Sequence, residues 1–76
     1  MLIRSQDKLE IINMDNVERI MIIGNSQIAV QTVGDERWII IGNYSTKEKV
    51  LDVLDVIEMD YAMSCKVCNM PQEEEI

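Results

Sequence analysis

The sequence predicts an α+β domain, in which a small antiparallel β-meander sheet is covered by one C-terminal amphipathic helix. Short β-rich runs separated by turn motifs occupy the first part of the chain, and apolar residues alternate within them. After Tyr44 the apolar spacing changes to that of a helix. A chain of 76 residues predicts a single domain. We expect strands in residues 1–44, a helix in residues 45–64, and a short extended segment with an acidic tail in residues 65–76.

The predicted strands are short and follow one another directly. The apolar start MLIR is followed by the polar turn SQDK, and then by the runs LEIINM, VERIMII, QIAVQTV and RWIII. In QIAVQTV, Ile28 and Val30 alternate with Ala29 and Gln31, which is typical of a strand with one face more buried. The runs end at the turn motifs Gly24-Asn25, Gly34-Asp35 and Gly42-Asn43. Consecutive strands joined by tight turns predict a meander.

The helix has a start motif and an apolar stripe. The segment Ser45-Thr46-Lys47-Glu48 fits a capping box, in which the Ser45 and Glu48 side chains bond to each other's backbone amides. The stripe that we expect to lie on the sheet consists of Val50, Val53, Leu54, Ile57 and Tyr61. No Pro or Gly follows until Pro71, so the helix is expected to end near Met63 or Ser64.

A second apolar stripe on the helix points away from the first. Val56, Met59 and Met63 are spaced i, i+3 and i+7. Scattered exposed apolar residues are common and would account for them. A contact between copies of the chain is the alternative, because methionine packs adaptably and a domain of this size often completes its core with a second copy.

Acidic residues border this second stripe. Glu48, Asp52 and Asp55 are spaced i, i+4 and i+7, so Asp52 and Asp55 would form a charged rim of any contact there. A solvated helix face is one interpretation, and a surface that imitates a row of phosphates is the other. The net charge of −7 is concentrated after Ser45, which argues against duplex nucleic acid as a partner and fits a basic protein.

Cys65 and Cys68 form a single C-x-x-C motif in a chain without histidine. Zinc sites normally use four Cys or His ligands, so this motif could supply half of a site shared between two copies. A redox motif needs its first thiol at a helix N-terminus, whereas Cys65 follows the predicted helix. We therefore interpret the pair as packing thiols and expect no metal.

A polar cluster near the N-terminus offers a different kind of site. Arg4, Ser5, Gln6 and Lys8 lie on or beside a strand end. They form either a solvated hairpin turn or a small pocket for an anion such as a nucleotide, with Arg4 as the bidentate donor. Two copies of the chain would double the positive charge of such a pocket.

The residues needed for common catalytic mechanisms are absent. Without histidine there is no Ser–His or Cys–His pair, and the three glycines stand singly instead of forming a phosphate-binding loop. We expect no enzyme activity and no cofactor. The start of the chain has no signal-peptide pattern, and the aliphatic runs Ile20–Ile23 and Trp38–Ile41 are too short to span a bilayer. A cytoplasmic protein without a membrane partner is expected.

Three segments resemble a family of small proteins from Firmicute bacteria and their phages and prophages. They are LIRSQDK, GNYSTKEKVLDVLDVIEMDY and MPQEEEI, which together cover about half of the chain. In that family an apolar or aromatic residue commonly stands at the position of Cys68, which implies a short strand at 67–70. The family has no established activity, so the resemblance assigns no functional residue and implies only the cytoplasm of a bacterial host.

Small phage-associated proteins without catalytic residues usually act by binding. The resemblance therefore favours a non-enzymatic binding protein that counters host defence by occluding a protein partner. Two alternatives remain open at this point: a homo-oligomeric protein that sequesters a small anionic ligand, and a structural oligomerisation module.

Overall fold

Six β-strands, one α-helix and two single-turn 3-10 helices make up the computed structural model, which describes all 76 residues. The elements are β1 (Leu2–Arg4), β2 (Ile11–Asn13), β3 (Val17–Ile23), β4 (Gln27–Thr32), β5 (Ile39–Asn43), α1 (Lys47–Ala62) and β6 (Val67–Asn69), with 3-10 turns at Met14–Asn16 and Glu73–Glu75. The predicted α+β class with one C-terminal helix is confirmed. The short strand expected near residues 67–70 is also present as β6.

The strands form two three-stranded sheets, whereas the sequence suggested one. The second sheet, in the order β3-β4-β5, is the predicted antiparallel meander. The first sheet has the order β2-β1-β6, with β1 antiparallel to β2 and parallel to β6. A parallel pair needs a long connection, and here the rest of the chain supplies it by returning β6 to the N-terminal strand. Local sequence patterns carry no information about this long-range pairing.

The first sheet contributes one row of side chains to the core. Ile12, Ile3 and Cys68 stand opposite each other in the register of its three strands, and all three are buried. The neighbouring positions on each strand are exposed, as expected from the two-residue alternation of a strand.

Two of the three predicted glycine turns are present in the second sheet. Gly24 and Gly34 have φ values of 63° and 82° and lie in the turns of the two hairpins. The third turn was wrongly predicted, because Gly42 and Asn43 belong to β5. A Cβ atom at Gly42 would lie 2.8 Å from the ring of Tyr44, so glycine here makes room for a buried aromatic side chain.

The helix starts one residue later than the predicted capping box. The Oγ1 atom of Thr46 accepts a hydrogen bond of 3.2 Å from the Lys49 amide, which makes Thr46 the N-cap. Ser45 is used differently, since its amide donates to the carboxylate of Glu73 over 2.7 Å. Glu73 in the tail therefore accepts the hydrogen bond from the Ser45 amide that the predicted capping box assigned to Glu48.

The helix buries most of its predicted stripe against the sheets. Val50, Val53 and Ile57 are buried, and Leu54 packs on the core from a half-buried position. Tyr61 was wrongly placed in this stripe, because its side chain is 70% exposed. It lies in the last turn of α1, beyond the final buried residue of the helix.

The core lies where the helix and the inner faces of both sheets meet. Eleven buried residues form it: Ile3, Ile12, Ile28, Val30, Ile41, Tyr44, Val50, Val53, Ile57, Cys68 and Met70. The Tyr44 hydroxyl donates to the Pro71 carbonyl over 2.7 Å, so the buried phenol is satisfied by the tail. The helix of this structure does not have the length and apolar character required to cross a membrane.

Candidate functional site: the outer face of α1

The five helix residues singled out by the sequence lie together on the solvent side of α1. This set, Asp52, Asp55, Val56, Met59 and Met63, is called the outer face of α1 below. Val56, Met59 and Met63 are 39%, 60% and 69% exposed. They stay exposed because the opposite side of the helix carries the branched aliphatic residues that fill the core.

A shallow depression follows this face toward the end of the helix. It is lined by three apolar and two acidic residues, namely Met59, Ala62, Met63, Asp55 and Glu58. A second, smaller depression shares Asp55 and Met59 and adds Val56 and Asp60. The outer face of α1 therefore presents thioether and methyl groups, with carboxylates beside them, to any molecule that binds there.

The carboxylates of this region have no basic neighbour that neutralises them. The structure contains two ion pairs, Arg37–Asp35 and Lys49–Glu73, and neither involves the outer face. The unpaired and exposed carboxylates are those of Glu48, Asp52, Asp55 and Glu58. Lys49 points to the tail instead of the helix face, so the negative potential of the face is not cancelled locally.

Glu73 is a residue whose role the sequence did not reveal. Its carboxylate pairs with the Lys49 ammonium and accepts hydrogen bonds from the amide and hydroxyl of Ser45. The hydrogen bond from Lys49, followed by those from Ser45, holds the pKa of Glu73 below its ordinary value. This contact spans more than twenty residues of sequence, so only the folded chain could disclose it.

The N-terminal polar cluster is engaged within the chain. The Arg4 guanidinium donates two hydrogen bonds to the Lys8 carbonyl, at 2.9 and 3.2 Å, and closes the turn between β1 and β2. Ser5 is buried and its hydroxyl donates to Asp7 over 2.6 Å, which lowers the pKa of that carboxyl. The Gln6 side-chain oxygen accepts from the Asn43 amide over 2.7 Å. These contacts agree with the hairpin-turn interpretation, and the anion pocket stays a prediction.

The two cysteines occupy different environments. Cys68 is completely buried in the core, whereas Cys65 is half-buried after the helix, and both are free thiols. Burial, together with the nearby Asp60 carboxylate, raises the pKa of Cys68 to about 12. A neutral, buried thiol serves packing, and the hypothesis of a metal site shared between copies gains no support from this geometry.

No protein-family model, curated protein or solved structure matches this chain. The outer face of α1 combines exposed apolar groups with unpaired carboxylates.

Proposed function

We propose that this protein is a non-enzymatic binding protein that covers a basic surface of a protein partner with the outer face of α1. In the bacterial and phage setting implied by the sequence resemblance, the partner is a host protein and its occlusion counters host defence. The observation that carries the proposal is the row of exposed Val56, Met59 and Met63 beside unpaired carboxylates.

The apolar row would supply most of the affinity. Burying apolar area is favourable by about 25 cal/mol per Å². Methionine side chains adapt to the shape of a partner because they are unbranched and flexible. Met59 and Met63 are the most exposed members of the row, so they would lie at the centre of the contact.

The carboxylates would select the partner and speed its arrival. Complementary charge raises association rates and disfavours partners of the same sign. A chain with 14 acidic and 7 basic residues attracts basic surfaces from a distance. Asp52 and Asp55, at the margin of the apolar row, would then pair with lysine or arginine of the bound partner.

The proposal is tested by capturing proteins from a bacterial host lysate on the immobilised protein. The double variant Asp52→Asn with Asp55→Asn keeps the side-chain shapes and removes two charges. A matched control, Asp15→Asn with Glu18→Gln, removes two exposed charges that lie outside α1. Bound proteins are identified by mass spectrometry, and their affinities are then measured with purified partner at low and high salt.

We expect a basic partner whose affinity falls about tenfold in the Asp52/Asp55 variant and weakens with salt, while the Asp15/Glu18 control binds as the wild type does. Equal loss in the two variants would indicate only a net-charge effect and would contradict the assignment to α1. Full binding by the Asp52/Asp55 variant would also contradict it.

A further inference from the structure

The second sheet has an outer face on which large apolar side chains are partly exposed. Across its strands, Met21, Ala29 and Ile40 stand opposite each other in the register. The residues next to Ala29 in β4, Ile28 and Val30, point into the core, so this row points to the other side.

This outer face is apolar at its centre. Ala29 is fully buried, although it does not belong to the core cluster. We therefore attribute its burial to the larger side chains beside it on this face, which cover it from solvent. Met21 and Ile40 are 40% and 42% exposed. Ile23 and Trp38 are half-buried and are not among the side chains that pack on the core. Alternation along β3 places Ile23 on the same face as Met21. Trp38 directly precedes β5 and is two residues from Ile40, so we assign it to that face as well. These five residues are called the outer face of the second sheet.

The face carries almost no charge, although 28% of the residues of the chain are charged. The polar residues that share its side by register are Arg19, Gln27, Gln31 and Asn43. Arg19 is the single charged residue at these paired positions, and Glu18 lies exposed beside it in the bulge of β3. Depletion of charge at the centre of an apolar patch is typical of the core of a protein interface.

We infer that the outer face of the second sheet is the contact between two copies of this chain. The distribution of charge favours the second sheet over α1 as the surface through which two copies pair. If two copies met through the outer face of α1, the Asp52 and Asp55 carboxylates of both chains would all border the same contact. The row of Met21, Ala29 and Ile40 at the centre of the second sheet holds no carboxylate, so a chain of net charge −7 can pair with itself there without placing carboxylates in the middle of the contact.

The position of Arg19 is also compatible with two-fold symmetry. Arg19 lies toward one end of β3, which is an edge strand of the sheet. A two-fold axis parallel to the strands exchanges the two edge strands, and an axis perpendicular to the strands exchanges the two strand ends. In either of these two arrangements the second Arg19 lies away from the first, so the two guanidinium groups do not face each other.

The longer strands of the second sheet make it a better candidate than the first sheet for the contact between copies. The strands of the first sheet have three residues each, whereas β3, β4 and β5 have seven, six and five. Stacked sheets pack about 10 Å apart, which would cover the row through Ala29 and the neighbouring Trp38. Because three short strands bury less than a standard interface, we expect a dimer with a dissociation constant in the micromolar range.

Sedimentation equilibrium across about 5–500 µM protein tests the inference. The wild type should approach twice the monomer mass of 8.8 kDa at the high end. Met21→Lys should raise the dissociation constant at least about tenfold, and Met59→Lys, a matched change on α1, should leave it unchanged. Trp38 is the single tryptophan, so its emission should shift to shorter wavelength with concentration in the wild type and not in Met21→Lys.

Circular dichroism checks that the variants fold, and Ile40→Thr serves as a second variant because threonine keeps a β-branched side chain in β5. A wild type that stays monomeric across the range overturns the inference. Dissociation caused by Met59→Lys or Ile11→Lys, with Met21→Lys unaffected, also overturns it by placing the contact elsewhere. The result is separable from the proposed function, because Met21→Lys should still capture the partner of α1.

Discussion

At the scale of single residues, Cys65 and Cys68 show how position controls the chemistry of identical side chains. Cys68 stands opposite Ile3 in the parallel pair of β1 and β6 and has no exposed surface. Cys65 lies only three residues earlier, but it follows the end of the helix and is partly exposed. The C-x-x-C spacing alone did not predict that one thiol would be buried and the other partly exposed.

We expect the two thiols to differ in reactivity toward iodoacetamide at about pH 8. In the folded protein only Cys65 should be modified, because burial excludes the reagent from Cys68 and raises its pKa to about 12. Both should react in denaturant, as measured by intact mass. Cys65→Ser is the control and should show no labelling when folded. Modification of Cys68 at the rate of Cys65 would contradict the burial of this thiol.

At the scale of elements, the C-terminus of α1 has a defined stop signal made by a residue that is not glycine. Ser64 has a φ of 59°, the left-handed conformation that usually favours glycine. The Cys65 amide donates to the Asp60 carbonyl over 2.9 Å, and the Ser64 amide donates to the Tyr61 carbonyl over 3.0 Å. These two bonds form a Schellman motif, in which serine carries a conformational cost.

Replacing Ser64 with glycine should therefore stabilise the protein. The left-handed conformation costs an L-residue about 1–2 kcal/mol, and the greater freedom of glycine in the unfolded chain offsets part of the gain. We expect a net increase of about 0.5–1 kcal/mol in the free energy of unfolding, or roughly 2–8 °C in Tm by calorimetry. Ser26→Gly, at a residue without positive φ, should bring no gain. A lower Tm for Ser64→Gly would mean that the Ser64 side chain makes a contact more favourable than the relief of strain.

At the scale of the whole molecule, the acidic tail ties distant parts of the chain together. Gln72 donates its side-chain amide to the Gln6 carbonyl over 2.7 Å, next to the turn between β1 and β2. Glu73 reaches the start of the helix through Ser45 and Lys49. Met70 and the Pro71 carbonyl complete the surroundings of Tyr44. The tail thus links the N-terminal hairpin, the core and α1.

The stability supplied by Glu73 should depend on pH. Its folded pKa is lowered, so the contribution is present above the pKa of an unfolded glutamate and is lost as pH falls through the folded value. Glu73→Gln should therefore lower Tm at neutral pH, and its difference from the wild type should shrink below about pH 4. The effect should be modest, because more than a third of the side chain is exposed and solvent screens the pair.

Glu74→Gln is the matched control for this measurement, since Glu74 is exposed and has no hydrogen-bond or ion-pair partner. It should leave Tm nearly unchanged across the same pH range. A Tm for Glu73→Gln that equals that of the control at neutral pH would show that the tail is held by apolar and backbone contacts alone.

Of the two candidate surfaces, one could be predicted from local sequence patterns and the other required knowledge of the strand pairing. The outer face of α1 could be predicted, because the 3.6-residue period of a helix places Val56 and Met59 away from Val53 and Ile57 without any knowledge of the sheets. The outer face of the second sheet could not, since it joins Met21, Ala29 and Ile40 from three strands. Ala29 looks like an ordinary strand residue until its neighbours are known.

Local sequence patterns were enough to predict the α+β class, the place of the helix and the turns at Gly24 and Gly34, because these depend on periodicity and on the backbone preferences of single residues. The folded chain was needed to show that β6 lies beside β1, that Glu73 rather than Glu48 bonds to Ser45, and that Tyr61 is exposed. Each of these depends on contacts between segments far apart in the chain. The free energy of such contacts depends on how the segments pack in the folded chain, so it cannot be predicted from a local sequence pattern.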